Sequence, residues 1–240
     1  MSPSIIPDHI GLAVNNIKEG VASFENLTGI QAHLHPSESS APFQSASVRI
    51  GETCYLEILG PNPNHKGIHP LKSLLRAFKE PTLWFWYIRT DDFGELEKKI
   101  IGQGRQIDQK TNMEMDESRS DEFAPHIRGS IGPGFDPVYP NIIQYLAKPK
   151  LDVVGSMDLH PLQDFIVRVP ASDMAKKKPK TFFEAIGVPT GVLQENSDDK
   201  YYLSLTLKTP KGPITWENET HSVSTWKALS TTIKDVLGFL

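Results

Sequence analysis

One order of pieces recurs three times along these 240 residues: a short strand-like run, an amphipathic helix, then further strand-like runs. In the first pass, Asp8-His9-Ile10-Gly11-Leu12-Ala13-Val14 leads into a helix capped by Asn15 or Asn16 and closed by Gly29. Ile17, Val21, Phe24 and Leu27 fall at helical spacing along it. Residues 46–50 and 53–59 then read as a hairpin around Gly51-Glu52. In the second pass, residues 83–89 form the strand. Asp91 or Asp92 caps a helix carrying Phe93, Leu96, Ile100 and Ile101, and residues 141–146 close the unit. The third pass runs from Phe165–Val169 through a helix ending at Gly187 to residues 201–208 and 212–217. A period of roughly 75 to 80 residues is too long for a solenoid and suits a few βαβββ modules packed together. Residues 31–45 read as weakly structured and His69–Lys79 as a short helix with Leu71, Leu74, Leu75 and Phe78 on its apolar side. Ser222–Leu240 reads as a C-terminal helix, with Trp226, Leu229, Ile233 and Leu237 on one stripe.

The fold class expected is therefore α+β. Residues 1–148 hold paired modules (about 5–62 and 82–148), and residues 149–240 a third, partial βαβ-type module with the C-terminal helix. At 38% hydrophobic and 22% charged residues the chain has the composition of a globular protein. A net charge of -4 argues against a non-specific nucleic-acid surface. No run approaches the roughly 20 apolar residues that cross a bilayer. The first residues lack the features of a signal peptide, so a cytoplasmic location is expected. The single cysteine, Cys54, suits a reducing compartment and reads as a small core residue.

Strand alternation puts His9 on one face with Gly11 and Ala13, and Ile10, Leu12 and Val14 on the other. Glu57 shares its face with Tyr55 and Leu59. Two ionisable residues in runs that should be buried are half of a metal site or a satisfied polar pair. Without a metal, a neighbouring carboxylate fixes the tautomer of His9, and the pair has general-base chemistry available on a small carbonyl or enol substrate. His33, His35, His65 and His69 fall in polar or turn-rich segments and read as solvated. Lys176–Lys180 reads as a solvated surface. There is no phosphate-binding glycine loop, no Gly-x-Ser-x-Gly elbow and no Cys-x-x-Cys pair.

Asp-His-Ile-Gly-Leu-Ala-Val-Asn-Asn-Ile, the helix ending Leu-Thr-Gly-Ile, and Tyr-Leu-Glu-Ile-Leu-Gly-Pro-Asn-Pro resemble the glyoxalase-like group of the vicinal oxygen chelate superfamily. Trp-Phe-Trp-Tyr-Ile-Arg-Thr-Asp-Asp-Phe with Asn-Ile-Ile-Gln-Tyr-Leu is similar to that group's second module, and Leu-Lys-Thr-Pro-Lys-Gly-Pro-Ile to its C-terminal extension. The resemblance implies two modules curling into a cup, with helices outside. Metal-dependent members take ligands from the first and last strand of each module. Carried over, those places are His9, Glu57, Phe85 and Gln144. Phenylalanine has no lone pair, so one divalent ion (zinc, iron or manganese) would rest on His9, Glu57 and Gln144. Asp164 and Glu217 could serve only if the third pass reached the cup.

The same resemblance places Phe85, Tyr87 and Arg89 on the cavity face, with Tyr55 beside Glu57. Such walls suit a flat or apolar small ligand, and Arg89 an anionic group on it. Trp84 and Trp86 are expected to face the helix. His126, ahead of a loop at Gly132–Pro137, is an outside candidate at the cavity mouth. Two functions stay open. One is a lyase, isomerase or dioxygenase acting on a small carbonyl or aromatic metabolite; the other is a metal-free protein that binds or sequesters a small molecule. The partner expected is a small-molecule ligand, with no nucleic acid and no membrane, and a homodimer is open to this fold.

Overall fold

The computed structural model describes residues 3–37, 39–113, 124–132, 138–147, 158–175, 178–198 and 200–220. The first pass forms β1 (Ile5–Ala13), α1 (Ile17–Thr28), β2 (His33–Leu34), β3 (Phe43–Arg49) and β4 (Tyr55–Pro61), followed by α2 (Pro70–Ala77). The second forms β5 (Thr82–Thr90), α3 (Phe93–Gly102), β6 (Ile107–Met113), β7 (His126–Ile131) and β8 (Asn141–Tyr145). The third forms β9 (Leu162–Pro170), α4 (Ala171–Ala175), α5 (Lys178–Ile186), β10 (Leu193–Asn196), β11 (Tyr201–Thr209) and β12 (Gly212–Thr220). The expected C-terminal helix at 222–240, with Trp226, lies outside the described residues, as do Lys176, Lys177 and positions 133–137.

The first two passes meet along their leading strands. One eight-stranded sheet runs β2-β3-β4-β1-β5-β8-β7-β6, so each module supplies four neighbouring strands in mirrored order. β1 and β5 are antiparallel at the seam, while each lies parallel to the last strand of its own module. The pairs His9↔Tyr87 and Gly11↔Phe85 exchange under a two-fold rotation, which makes Phe85 the counterpart of His9. The same sequence offset relates the helix caps Asn16 and Asp92, whose side chains accept from Lys18 and Glu19 and from Glu95 respectively.

Alternation then sorts the side chains. Ile10, Leu12, Val14, Leu56, Ile58, Trp86, Ile88 and Ile142 point to the side of α1 and α3 and form the main core. Burying each such side chain stabilises by about 1.5–3 kcal/mol. A second sheet, ordered β10-β9-β11-β12, adds its apolar face to this same core. Trp86 packs 5.4 Å from Phe165 and 5.9 Å from Phe183, and Phe24 stacks at 5.7 Å on Trp216. Asn218 clasps the start of β5, accepting from the Leu83 amide at 2.7 Å and donating to its carbonyl at 2.9 Å. Unlike the first two passes, the third pairs its first strand in parallel with its second, β9 with β10. Asp164 is exposed and Glu217 pairs with Arg168 on this second sheet, so neither reaches the inner face of the large one.

That inner face, opposite α1 and α3, carries a smaller cluster of Ala13, Leu59, Trp84, Phe85, Tyr87 and Ile143. α2 packs onto it through Leu71, Leu74, Leu75 and Phe78. The helix starts where His69 accepts from the Leu71 amide at 3.2 Å and Pro70 opens the first turn. His69 is therefore a helix cap and not a solvated loop residue. Trp84 also departs from expectation. β5 slips one residue against β1 between Gly11 and Leu12, so Trp84 and Phe85 both oppose Gly11 and turn to the inner face. Residues 31–45, expected to be weakly structured, supply β2 and the start of β3. Among the described residues no helix is long and apolar enough to cross a membrane.

Candidate functional site

Pro7 sits inside β1, a central strand, where proline is tolerated only at an irregularity. The irregularity is a bulge: Pro7 pairs with Ile88 and His9 with Tyr87, leaving Asp8 as the extra residue. Asp8 and His9 consequently both turn to the inner face. Asp8 is fully buried there. His9 Nδ1 donates to its Oδ1 at 2.6 Å, Arg89 donates to its Oδ2 from Nε at 2.7 Å and Nη2 at 2.5 Å, and Tyr145 donates to Oδ1 at 3.3 Å. Burial pushes the Asp8 carboxyl up; the His9 hydrogen bond and charge, with Arg89, outweigh it and hold the group below its ordinary value. An ionised carboxylate can only accept, so the His9 proton lies on Nδ1 and the basic lone pair on Nε2.

His9 is fixed in orientation as well as tautomer. Tyr55, His9 and Tyr87 are lateral neighbours on β4, β1 and β5, and their rings stack, with centroids 4.9 Å and 4.3 Å from His9. Nε2 faces Glu57 Oε2 at 3.8 Å, within ion-pair range but beyond a direct hydrogen bond. Exposure rises along this line, from 0% for the Asp8 side chain to 8% for His9 and 18% for Glu57, so Glu57 is the most open of the three.

Phe85 lies over Gly11, where an added Cβ would stand only 2.3 Å from the ring. Its edge approaches His9 at 6.0 Å. Tyr87 is kept protonated by burial, pushed up to about 12, and burial likewise raises Tyr55 and Tyr145. His126 opens β7, its Nδ1 donating to the Ala124 carbonyl at 2.9 Å and its ring 5.9 Å from that of Tyr145. Burial lowers its pKa, which leaves it neutral. A recess of about 430 Å³ opens beside this cluster, lined by Ile6, Arg89, Thr90, Asp91, Tyr145 and Leu146 among others.

The structure thus brings His9, Glu57, Tyr55, Phe85, Tyr87, Arg89 and His126 to one face, and it removes Gln144. Gln144 Oε1 accepts from the Phe93 amide at 2.8 Å and its Nε2 donates to the Asp91 carbonyl at 3.0 Å, both on the α3 side of the sheet. Registers explain the displacement. Gly11 pairs with Glu57 as its counterpart Tyr87 pairs with Asn141, so the counterpart of Glu57 is Asn141. Gln144 corresponds instead to Gly60, where a Cβ would meet Ile17 backbone at 2.9 Å. Arg89, expected to hold a ligand's anionic group, is engaged by Asp8.

His35, expected to be solvated, is buried, with Nε2 2.7 Å from Ser47 Oγ; burial, then His33, lowers its pKa to about 4. Asp8 was hidden from sequence reasoning by strict alternation, although Pro7 in a central strand carried the signal of a bulge.

These residues do not fit a divalent ion. The four central places hold His9, Glu57, Phe85 and Asn141, and a catalytic ion wants at least three good donors. The Phe85 ring donates nothing, and the buried Asn141, whose Nδ2 donates to the Trp86 carbonyl, has only a neutral amide oxygen to give. Among the described residues no three His, Cys, Asp or Glu side chains converge as a ligand set.

The sequence profile of the glyoxalase-like domain matches residues 8–182. The chain belongs to the glyoxalase-like domain family. The matched span runs from the Asp8–His9 bulge into α5 and so includes β9 with both modules. Among solved structures, a hypothetical protein from Staphylococcus aureus is similar over 92% of this chain and 87% of its own, at 14% identity and a TM-score of 0.58, which shows the fold. A hypothetical protein from Bacillus halodurans (17% identity, 60% and 97% coverage, TM-score 0.45) resembles it more weakly. So does methylmalonyl-CoA epimerase from Mycobacterium tuberculosis (17%, 61% and 91%, TM-score 0.42). No curated protein sequence matches.

Proposed function

We propose that this glyoxalase-like protein binds a small carbonyl compound with a flat apolar portion and moves a proton on it without a metal ion. The observation that carries the reading is the line Asp8–His9–Glu57, ordered by exposure and ending in a carboxylate on the inner face. Glu57 takes a proton from the carbon beside the carbonyl. His9, 3.8 Å behind it, offers Nε2 to that proton, and Asp8 holds the imidazole in the tautomer that can accept. The Tyr87 hydroxyl stays protonated and is a donor for the carbonyl oxygen as charge develops there. Phe85, Tyr55 and Tyr87 supply the apolar wall. A reducing, cytoplasmic setting agrees with the lone buried Cys54.

A second reading is favoured by Phe85, whose ring occupies a place that a ligand-polarising group would otherwise hold: the cup retains a small molecule without turnover. Proton exchange separates the two. Chelator-treated protein is mixed in D2O with enolisable ketones and 2-oxo acids, aromatic and aliphatic, and followed by NMR. Exchange should persist without metal and fall by at least about 100-fold in Glu57→Gln. Binding without exchange selects the second reading, and exchange unaffected by Glu57→Gln sinks the first.

A further inference from the structure

The inner face carries a cation that the Asp8 cluster does not use. β7 pairs with β8 so that Arg128 stands opposite Ile143, and Ile143 in turn neighbours Arg89 on β5. Paired residues share a face, so Arg128 points to the same side as Arg89, Ile143 and Tyr87. Gly129, next along β7, faces the other way, against Phe93 and Ile107. Arg89 is held twice by Asp8. Arg128, by contrast, spends only its Nε, on Thr111 Oγ1 at 3.3 Å, and forms no ion pair among the described residues. Among the described residues no partner occupies either Nη group, and the two suit a planar, two-oxygen acceptor.

We propose that Arg128 holds a carboxylate on the molecule whose proton Glu57 and His9 move, which makes the substrate a small carbonyl acid. The inference rests on the reading of the inner face as the substrate site. Four strand spacings separate β4, which carries Glu57, from β7, about 19 Å between backbones. Side chains reaching inward from both ends reduce that to the length of a small aromatic acid. Charge supports the division of labour: Arg89 is taken up by Asp8, whereas Arg128 contacts no carboxylate among the described residues. Its field reaches the groups between. After burial, the charge of Arg128 acts on the Tyr87 hydroxyl, and it also disfavours protonation of His126. An anion seated at Arg128 lies on the same face of the sheet as the Tyr87 hydroxyl that would receive the carbonyl oxygen.

The test compares phenylpyruvate with phenylacetone, which lacks the carboxylate, by calorimetric titration of the full chain. Wild-type protein should bind phenylpyruvate at least about tenfold more tightly. Arg128→Gln should bind both compounds equally, with phenylacetone affinity unchanged as the control for folding, and Arg128→Lys should keep part of the preference. Glu57→Gln should retain the preference while losing proton exchange. A preference with no exchange in any variant therefore removes the proton-transfer reading and leaves the anion site standing. Equal binding of the two probes by wild type, or a preference that survives Arg128→Gln, overturns the proposal.

Discussion

Arg89 donates from both Nε and Nη2 to the same oxygen of Asp8, at 2.7 and 2.5 Å, across the seam between the two modules. The carboxylate it serves is fully buried, so breaking the pair from one side leaves a charge with too few partners. Arg89→Met should cost about 3–5 kcal/mol. Asp8→Asn removes the charge itself and should cost less, about 1–3 kcal/mol. In Asp8→Asn/Arg89→Met the two costs should fall well short of additive. Urea unfolding of the four proteins measures this, and additivity within error would show that the pair is not coupled.

Acid should weaken the fold in two stages. His35 is neutral when folded, with its pKa lowered by burial and then by His33 to about 4 from an ordinary 6.5. The unfolded chain binds a proton there that the folded chain refuses, so stability falls as pH drops from about 6.5 to 4, by up to about 3 kcal/mol. Asp8 acts at lower pH. Its carboxyl, held below 3.8 when folded, contributes stability above the unfolded value, which is lost as pH falls through the folded one. His35→Gln should flatten the loss between pH 6.5 and 4 and leave the stage below pH 3.8 in place. An unchanged slope in that variant would place the first stage elsewhere.

What could be read from the sequence follows the two side-chain periods. Ile10, Leu12 and Val14 reach the helix-side core and Ala13 the inner face as strict alternation requires, and Asn16 and Asp92 cap their helices. The departures share one cause. A single extra residue inverts a face, and whether a strand carries one is decided by its partner across the sheet. That hid Asp8 and turned Trp84 inward. Gln144 failed for a related reason: β8 takes its register from β5, over fifty residues earlier, and no local pattern marks which residue lands beside Tyr87. His35 was hidden because a two-residue strand, β2, gives almost no periodicity, yet it is enough to bury the ring against Ser47.

Gly11 tests the packing of the inner face. Its missing Cβ is the space that the Phe85 ring fills, with ring carbons 2.3 to 2.6 Å from where that atom would stand. Gly11→Ala should destabilise by about 1–3 kcal/mol through overpacking, a fall in Tm of several degrees for a chain of this size. Phe85→Leu, which withdraws the ring, should recover part of that loss when combined with Gly11→Ala. If the double variant is as unstable as the sum of the singles, the strain lies in the β1 backbone and not under the ring.

Phe85 also decides what the cup can hold. Being the two-fold counterpart of His9, it stands where the second module would present a ligand. The first module keeps what a ligating histidine needs, since Asp8 fixes the ring through Nδ1 and leaves Nε2 facing Glu57. One substitution should therefore supply the missing donor. Phe85→His should give a site of two imidazoles and a carboxylate, and zinc should then raise its Tm progressively, with the logarithm of the zinc concentration above Kd. Wild-type protein, with only His9 and Glu57 to offer, should shift by less than about 1 °C at the same zinc concentration. Titration with a competing chelator gives the affinity, and Glu57→Ala in the Phe85→His background should abolish it. A wild-type shift as large as that of the variant would mean that His9 and Glu57 recruit a third donor from elsewhere in the chain, and the metal-free reading of the cup would fall.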